Sequence, residues 1–254
     1  MIVLFTDFGW RGPYVAQMIN VLHQISPNVP VLNLFCDAPS FNPLASAHLL
    51  DAYWREFPID TVFLCVVDPG VGTEQRQPVM VRLQGRWFVG PGNGLFDVMA
   101  ARTQGAEYFD ITWRPTHLSA SFHGRDLFAP IAARLANGCP PDEVAKASSH
   151  SLTPSSSDDL WQIIYTDHFG NAVTGIRAMS VDNTARLNLA EQCYMKARTF
   201  GEVARGAAFY YENSNGLLEF AVNCGSFVET RRVQVGDVIT LNGHTRSIPT
   251  STHK

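Results

Sequence analysis

The 254-residue chain lacks the patterns that mark several large functional classes. Its five cysteines (Cys36, Cys65, Cys139, Cys193 and Cys224) are odd in number and scattered, with no CxxC pair, which argues against a zinc ribbon or a dithiol redox centre. Most read instead as small buried hydrophobes in a reducing compartment. No run of lysine or arginine occurs, and 19 basic against 23 acidic residues leave a net charge of −4, which argues against a nucleic-acid footprint. No apolar stretch reaches membrane-spanning length, and Met1-Ile2-Val3-Leu4-Phe5 is too short for a signal-peptide core. A cytoplasmic protein with no membrane or nucleic-acid partner is expected.

Catalytic signatures are sparse as well. His23, His48, His117, His150, His168, His244 and His253 show no HExxH-type spacing, so a metal site is not expected. No GxSxG elbow is present. Gly70-x-Gly72 and Gly92-x-Gly94 are not GxGxxG, and no ribose-reading acid follows at the required distance, which weakens dinucleotide binding. Asp7-Phe8-Gly9 matches a protein-kinase magnesium triplet, but no His-Arg-Asp loop and no Gly-rich phosphate loop precede it.

What is present is a core-forming composition, 46% hydrophobic with 11% aromatic residues, over a length suited to one large or two smaller domains. In the first half, strand patterns (2–6, 31–35, 61–67) alternate with helical ones (14–25, 45–54, 95–101, 127–135). Residues 79–83 and 87–89 read as a hairpin around Gln84-Gly85. The alternation predicts an α/β domain over 1–147 with a mostly parallel central sheet. A Ser/Pro-rich run at 148–157 reads as a linker. Beyond it, short strands at 161–166, 172–176, 207–212, 217–222 and 238–241 predict a smaller β-barrel domain over 158–254.

Ligands of parallel sheets bind where strands end at their carboxyl edges. Three segments set polar or Gly-rich residues there: Thr6-Asp7-Phe8-Gly9, Asp68-Pro69-Gly70-Val71-Gly72-Thr73 and Gly90-Pro91-Gly92-Asn93-Gly94. Asp7 could take both hydroxyls of a ribose or cap the next helix, and Asp68 reads equally as turn chemistry. The densest cluster is Ser121-Phe122-His123-Gly124-Arg125-Asp126, with Ser121 as a candidate N-cap for an apolar helix. Backbone amides and cations at a helix start suit an electron-rich ligand, and His123 is able to move a proton near neutral pH. In the second half, Asp167-His168-Phe169-Gly170-Asn171 sets an acid, a ring and an amide together, either for a polar, flat ligand or as an ordinary Asx-rich turn. Asn213-Ser214-Asn215-Gly216 reads first as a hairpin turn.

Taken in order, these segments resemble the S-adenosyl-L-methionine hydroxide adenosyltransferase family, relatives of the fluorinase and chlorinase, over nearly the whole chain. The resemblance rests on Thr6-Asp7-Phe8-Gly9 with Gly12-Pro13-Tyr14-Val15, Val66 to Thr73, Pro91 to Leu95, Phe122 to Asp126, Asp167 with Phe169-Gly170-Asn171, and Ala221 to Ser226. It implies an α/β domain joined to a β-barrel and a homotrimer with the ligand held between subunits. The implied reaction is displacement at the 5′ carbon of S-adenosyl-L-methionine by water or hydroxide, giving adenosine and methionine without a cofactor. It puts Asp7 on the ribose and Asp167, Phe169 and Asn171 at the methionine end. Phe200, Asn215 and Asn223 fall near the adenine, and Tyr14, Phe122, Gly124 and Arg125 complete the substrate-binding set. The family's reactive Asp, Arg and His map onto Asp68 and His123, while the arginine's place is Gln75, leaving Arg76 to substitute. Gly92 stands where relatives commonly carry Asp.

The fluorinase has Tyr where this chain has Asp68 and Tyr-Ser in place of His123-Gly124. A halide needs donors and no base, whereas water benefits from a proton acceptor, so these residues favour water. The alternatives are a S-adenosyl-L-methionine or adenosine binding protein with little catalysis and a halide adenosyltransferase, with an NAD-type oxidoreductase last.

Overall fold

The computed structural model describes residues 1–73, 76–149 and 157–241. The chain divides into two compact units, Met1–Asp158 and Asp159–Lys254. Predicted linker positions 150–156 lie outside the described residues. Ser148 is tied to the first unit, its Oγ donating to Asp110 Oδ1 at 2.7 Å, and the carbonyls of Ser157 and Asp158 accept from Arg102.

In the first unit the strands are β1 (Ile2–Thr6), β2 (Val31–Phe35), β3 (Val62–Val66), β4 (Pro78–Leu83), β5 (Arg86–Pro91), β6 (Glu107–Ile111) and β7 (Ala145–Ala147). They form one seven-stranded sheet in the order β2-β1-β3-β5-β4-β6-β7. The helices are α1 (Tyr14–Ile25), α2 (Pro43–Tyr53), α3 (Asp97–Arg102) and α4 (Ala129–Ala136). β1 and β3 are buried throughout, and their period-two alternation feeds two cores. Ile2, Leu4, Val62, Leu64 and Val66 pack with α1 and α4, whereas Phe63 stacks on Phe88, which meets Trp54 and Phe96. α2 starts where Asn42 caps it, Oδ1 accepting from Ala45 N–H at 3.0 Å, with Pro43 in the first turn.

The sheet is parallel only in part. The β1–β2, β1–β3 and β3–β5 pairs are parallel, while β4–β5, β4–β6 and β6–β7 are antiparallel. The cause is the β4–β5 hairpin, whose Gln84-Gly85 turn has φ of 47° and 74°, the left-handed pair a two-residue hairpin needs. It reverses chain direction, and β6 and β7 then add antiparallel. Neither of those strands carries an alternation clear enough to be read from sequence.

The second unit holds β8 (Leu160–Thr166), β9 (Ala172–Arg177), β10 (Arg186–Leu189), β11 (Gln192–Met195), β12 (Ala208–Glu212), β13 (Leu217–Val222), a short helix α5 (Phe227–Arg231) and β14 (Thr240–Leu241). Among the described residues these make no closed barrel. They form a four-stranded sheet, β12-β13-β9-β8, and a three-stranded one, β11-β10-β14, joined by the isolated bridges Gln162↔Val238 and Lys196↔Tyr210. Tyr194, Tyr210, Phe220 and Phe227 fill the core between them. The strands are too short, and β14 pairs over too few residues, for continuous ladders to close.

Candidate active site

The strand order places β1 and β3 side by side with their connections leaving in opposite directions, a switch point at which a crevice opens beyond the carboxyl ends. Thr6 pairs with Val66, so Asp7, one residue past Thr6, and Asp68, two past Val66, come to the same edge of the sheet. A cavity of about 620 Å³ lies there. Of the residues expected in the site, Asp7, Tyr14, Asp68, Phe122, His123, Gly124 and Arg125 line it. Phe8, Gln17, Phe41, Val66, Val71, Ser119 and Ser121 join them, and of these sequence reasoning assigned none a ligand contact. Phe8, Tyr14 and Phe122 form an aromatic wall with centroids 5.3–5.8 Å apart. The Phe41 N–H donates to Asp7 Oδ2 at 3.0 Å, and burial raises the Asp7 pKa above the usual carboxylate value.

His123 does not sit under a Ser121 cap. The Ser121 hydroxyl lies near that of Ser119, and the helix opens at Gly124 with one π-helical turn, Gly124–Phe128, before α4. Such turns are rare and cluster at functional sites. The loop of residues 68–73 lies against the segment before His123, where Gly72, at φ 80°, runs along the Ala120 carbonyl and any Cβ would collide.

Arg76 completes the group. Its Nη2 lies 2.6 Å from Asp68 Oδ2 and 3.5 Å from His123 Nδ1, with the Arg76 and Asp68 side chains only 7% and 4% exposed. Glu74 and Gln75 lie outside the described residues. The ion pair falls short of hydrogen-bond alignment, and among the described residues Arg76 Nε and Nη1 have no partner, while the Asp68 oxygens have only the backbone of Gly70 as a weakly aligned donor. Burial pushes the Asp68 pKa up against the pull of Arg76, and pushes the Arg76 pKa down. The His123 pKa falls, first from burial, then from Arg76 and Arg114, with Asp126 opposing. Arginine carries only donors, so His123 Nδ1 is the acceptor in that contact and a neutral ring keeps its proton on Nε2. Arg125 is committed elsewhere, donating to both Asp126 oxygens at 2.6 and 3.0 Å and to Gln17 Oε1 at 2.9 Å.

The second unit has its own cavity of about 680 Å³, lined by Asp167, Phe169, Asn171 and Phe200 among the expected residues, with Tyr211, Val222, Cys224, Gly225 and Ser226. Asp167 Oδ1 accepts from the Phe169 and Asn171 amides, and its Oδ2 accepts from Asn171 Nδ2 at 2.8 Å. This turn leaves Phe169 74% exposed. Phe200 and Tyr211 meet at 5.3 Å, and Tyr211 donates its hydroxyl to buried Glu219 at 2.5 Å. Asn215 does not reach this cavity: it stands in the hairpin turn, where Asn213 Oδ1 accepts from Asn215 and Leu217 N–H. Asn223 is not among the lining residues either, because its amide donates to the carbonyls of Phe200 and Val203. Among the described residues no group of three or more His, Cys, Asp or Glu side chains is placed to hold a metal ion, and no helix is long and apolar enough to cross a membrane.

An α/β unit with a switch-point cavity followed by a two-sheet β unit with a second cavity is the class of protein that fold and site define. Family models for the N-terminal and C-terminal domains of SAM hydroxide adenosyltransferase match residues 2–145 and 161–240. The chain belongs to that family. It is 34% identical to the (R)-S-adenosyl-L-methionine hydrolase of Thermus thermophilus, over 94% of this chain and 98% of that protein. A fluorinase of Actinopolyspora mzabensis is more distant, at 24% identity over 93% of this chain and 95% of its own. A solved structure of a conserved Thermotoga maritima protein superposes with a TM-score of 0.84 at 31% identity, covering 95% of this chain and all of the other.

Proposed function

We propose that this protein hydrolyses S-adenosyl-L-methionine to adenosine and methionine, with the (R) epimer, named for its relatives, as substrate. The observation that carries the reading is the meeting of Asp68, Arg76 and His123 beside a ligand-sized cavity. The water oxygen forms a bond to C5′ and the C5′–S bond breaks with its electron pair going to sulfur. Asp68 takes the water proton, and its raised pKa makes it a better base near neutrality. The neutral His123 donates from Nε2 to hold the water, and Arg76 stabilises the developing hydroxide. Arg125, bound to Asp126 and Gln17, is left a positioning role. A cationic sulfonium and a hydroxide-like nucleophile lose charge separation on reacting, so a dry pocket assists them.

Asp7 would hold the ribose hydroxyls, Asp167, Phe169 and Asn171 the methionine end, and Phe200 beside Tyr211 a flat face for adenine. Arg76 beside Asp68 supports catalysis over mere binding, and the Asp68 carboxylate disfavours a halide nucleophile. No cofactor is assigned a step. Incubation with S-adenosyl-L-methionine and a chelator should release adenosine by chromatography, and no release over the protein-free control sinks the reading. We further propose a cytoplasmic homotrimer in which the first unit of one protomer and the second of its neighbour share each ligand. Light scattering should give about three times 28.1 kDa, and mixing Asp7→Ala with Asn171→Ala protein should restore part of the activity. A fully active monomer refutes the shared site.

A further inference from the structure

β3, which carries Asp68 just past its end, lies between β1 and β5. Thr6 ends β1, pairs with Val66 and is wholly buried. Asn93 follows β5, and its Nδ2 donates at 2.9 Å to the carbonyl of Val67, the residue before Asp68. Asp68 is therefore flanked from both neighbouring strands. Ile2 and Leu4 pack in the core that contains Phe128, so alternation puts the Thr6 side chain on that face. The Arg76 guanidinium lies over the same Phe128 ring, 5.9 Å from its centroid. Thr6 Oγ1, Asn93 Oδ1 and Arg76 Nε and Nη1 have no hydrogen-bond partner among the described residues, and Asp68 has only the Gly70 backbone as a weakly aligned donor.

Buried polar atoms are rarely left unpaired, and unpaired donors and acceptors on the two strands flanking the Asp68 strand end match what a buried water satisfies with about three bonds. Asp68 lines the cavity, whereas Thr6 and Asn93 do not. We propose that Thr6 and Asn93 are positioning residues that hold a buried water against Asp68, on the side away from substrate. This rests on the hydrolase reading. The held water occupies one Asp68 oxygen, turns the other toward the nucleophile, and accepts from an Arg76 N–H. The proton that Asp68 takes from the nucleophilic water leaves to bulk solvent through the cavity as the products depart, and the held water keeps the carboxylate in place for the next substrate.

The test compares Thr6→Val, which keeps the shape and removes the hydroxyl, with Thr6→Ser, which keeps the hydroxyl and removes the methyl. The expected result is kcat down about tenfold in Thr6→Val, the scale of one hydrogen bond, with KM unchanged and Tm not lowered. Thr6→Ser should keep wild-type kcat, although its lost methyl lowers Tm. A purely structural threonine gives the reverse order, with Thr6→Ser the poorer protein and Thr6→Val unimpaired, and that result overturns the proposal. A high-resolution crystal structure should show a water within hydrogen-bond reach of Thr6 Oγ1 and Asn93 Oδ1, and finding none there also overturns it. Wild-type protein assayed alongside separates the two failures: no adenosine from wild type rejects the hydrolase reading, whereas active wild type with equally active Thr6→Val rejects the water site.

Discussion

Replacing Arg76 with methionine removes the cation from Asp68 while keeping most of the side-chain volume. With the charges 2.6 Å apart, Coulomb's law gives about 1.6 kcal/mol at the dielectric of water and about 6 kcal/mol at an effective value of 20. That attraction favours the ionised Asp68 carboxylate and holds its pKa down. Burial already holds its pKa above the usual value, and Arg76 is the main opposing influence, so the substitution moves it further up. The base then ionises only at higher pH, and the acid limb of kcat/KM should move to higher pH. Activity at pH 6 falls more than at pH 9. Arg76 also lowers the His123 pKa, so the double variant Arg76→Met/His123→Gln isolates the Asp68 contribution. Breaking a buried pair leaves a lone charge and costs about 3–5 kcal/mol, which Arg76→Met/Asp68→Asn should largely recover as Tm without recovering activity. Rates measured by adenosine release across pH decide the matter. An acid limb at the wild-type position in Arg76→Met refutes the coupling of Asp68 to Arg76.

Three further outcomes follow from the same geometry. His123→Ala should lower kcat by roughly 10²–10³, the loss of one donor to the developing hydroxide, with KM for S-adenosyl-L-methionine little changed; an unaltered kcat removes His123 from the mechanism. Gly72→Ala forces a Cβ against the Ala120 carbonyl at a positive φ, so both Tm and kcat should drop, and a variant with normal kcat shows that the 68–73 loop does not set the site. Glu219 accepts from Tyr211 and Asn213, and burial raises its pKa above 4.5; Glu219→Ala should cost about 1–3 kcal/mol. Because the folded state binds the proton more tightly, wild-type stability relative to Glu219→Ala should increase as pH falls toward 4.5, and a pH-independent difference in thermal melts rejects that reading.

Much of the architecture was legible from local pattern. Helix α1 spans the stripe read for it, β1 and β2 coincide with their apolar runs, and Gln84-Gly85 announced the β4–β5 hairpin. These features depend on residues close in sequence, where periodicity and turn chemistry act directly. The short strands β6 and β7 escaped notice because their pairing is made by distant partners, and the β10–β11 hairpin because its Ala190-Glu191 turn, with φ of 50° and 60°, carries no glycine or asparagine to announce it. The placing of β6 and β7 beyond the β4–β5 hairpin and the two-sheet form of the second unit were likewise not encoded in any one segment.

The site divides along the same line. Sequence alone determined that Asp7, Asp68 and His123 stand at strand ends and a helix start, since each follows a recognisable local signal. Only the tertiary structure decided that Arg76 fills the place beside Asp68 and His123, because that depends on the path of a loop closed by Gly72 against a segment some fifty residues away. It also showed the turn and backbone hydrogen bonds of Asn215 and Asn223, which appear only once the chain is folded. It added Phe41 and Tyr211, ordinary aromatics in the chain that folding turns toward a cavity. Residue type is local information, but which polar groups are left unpaired and face one another is set by the packing of segments far apart in sequence.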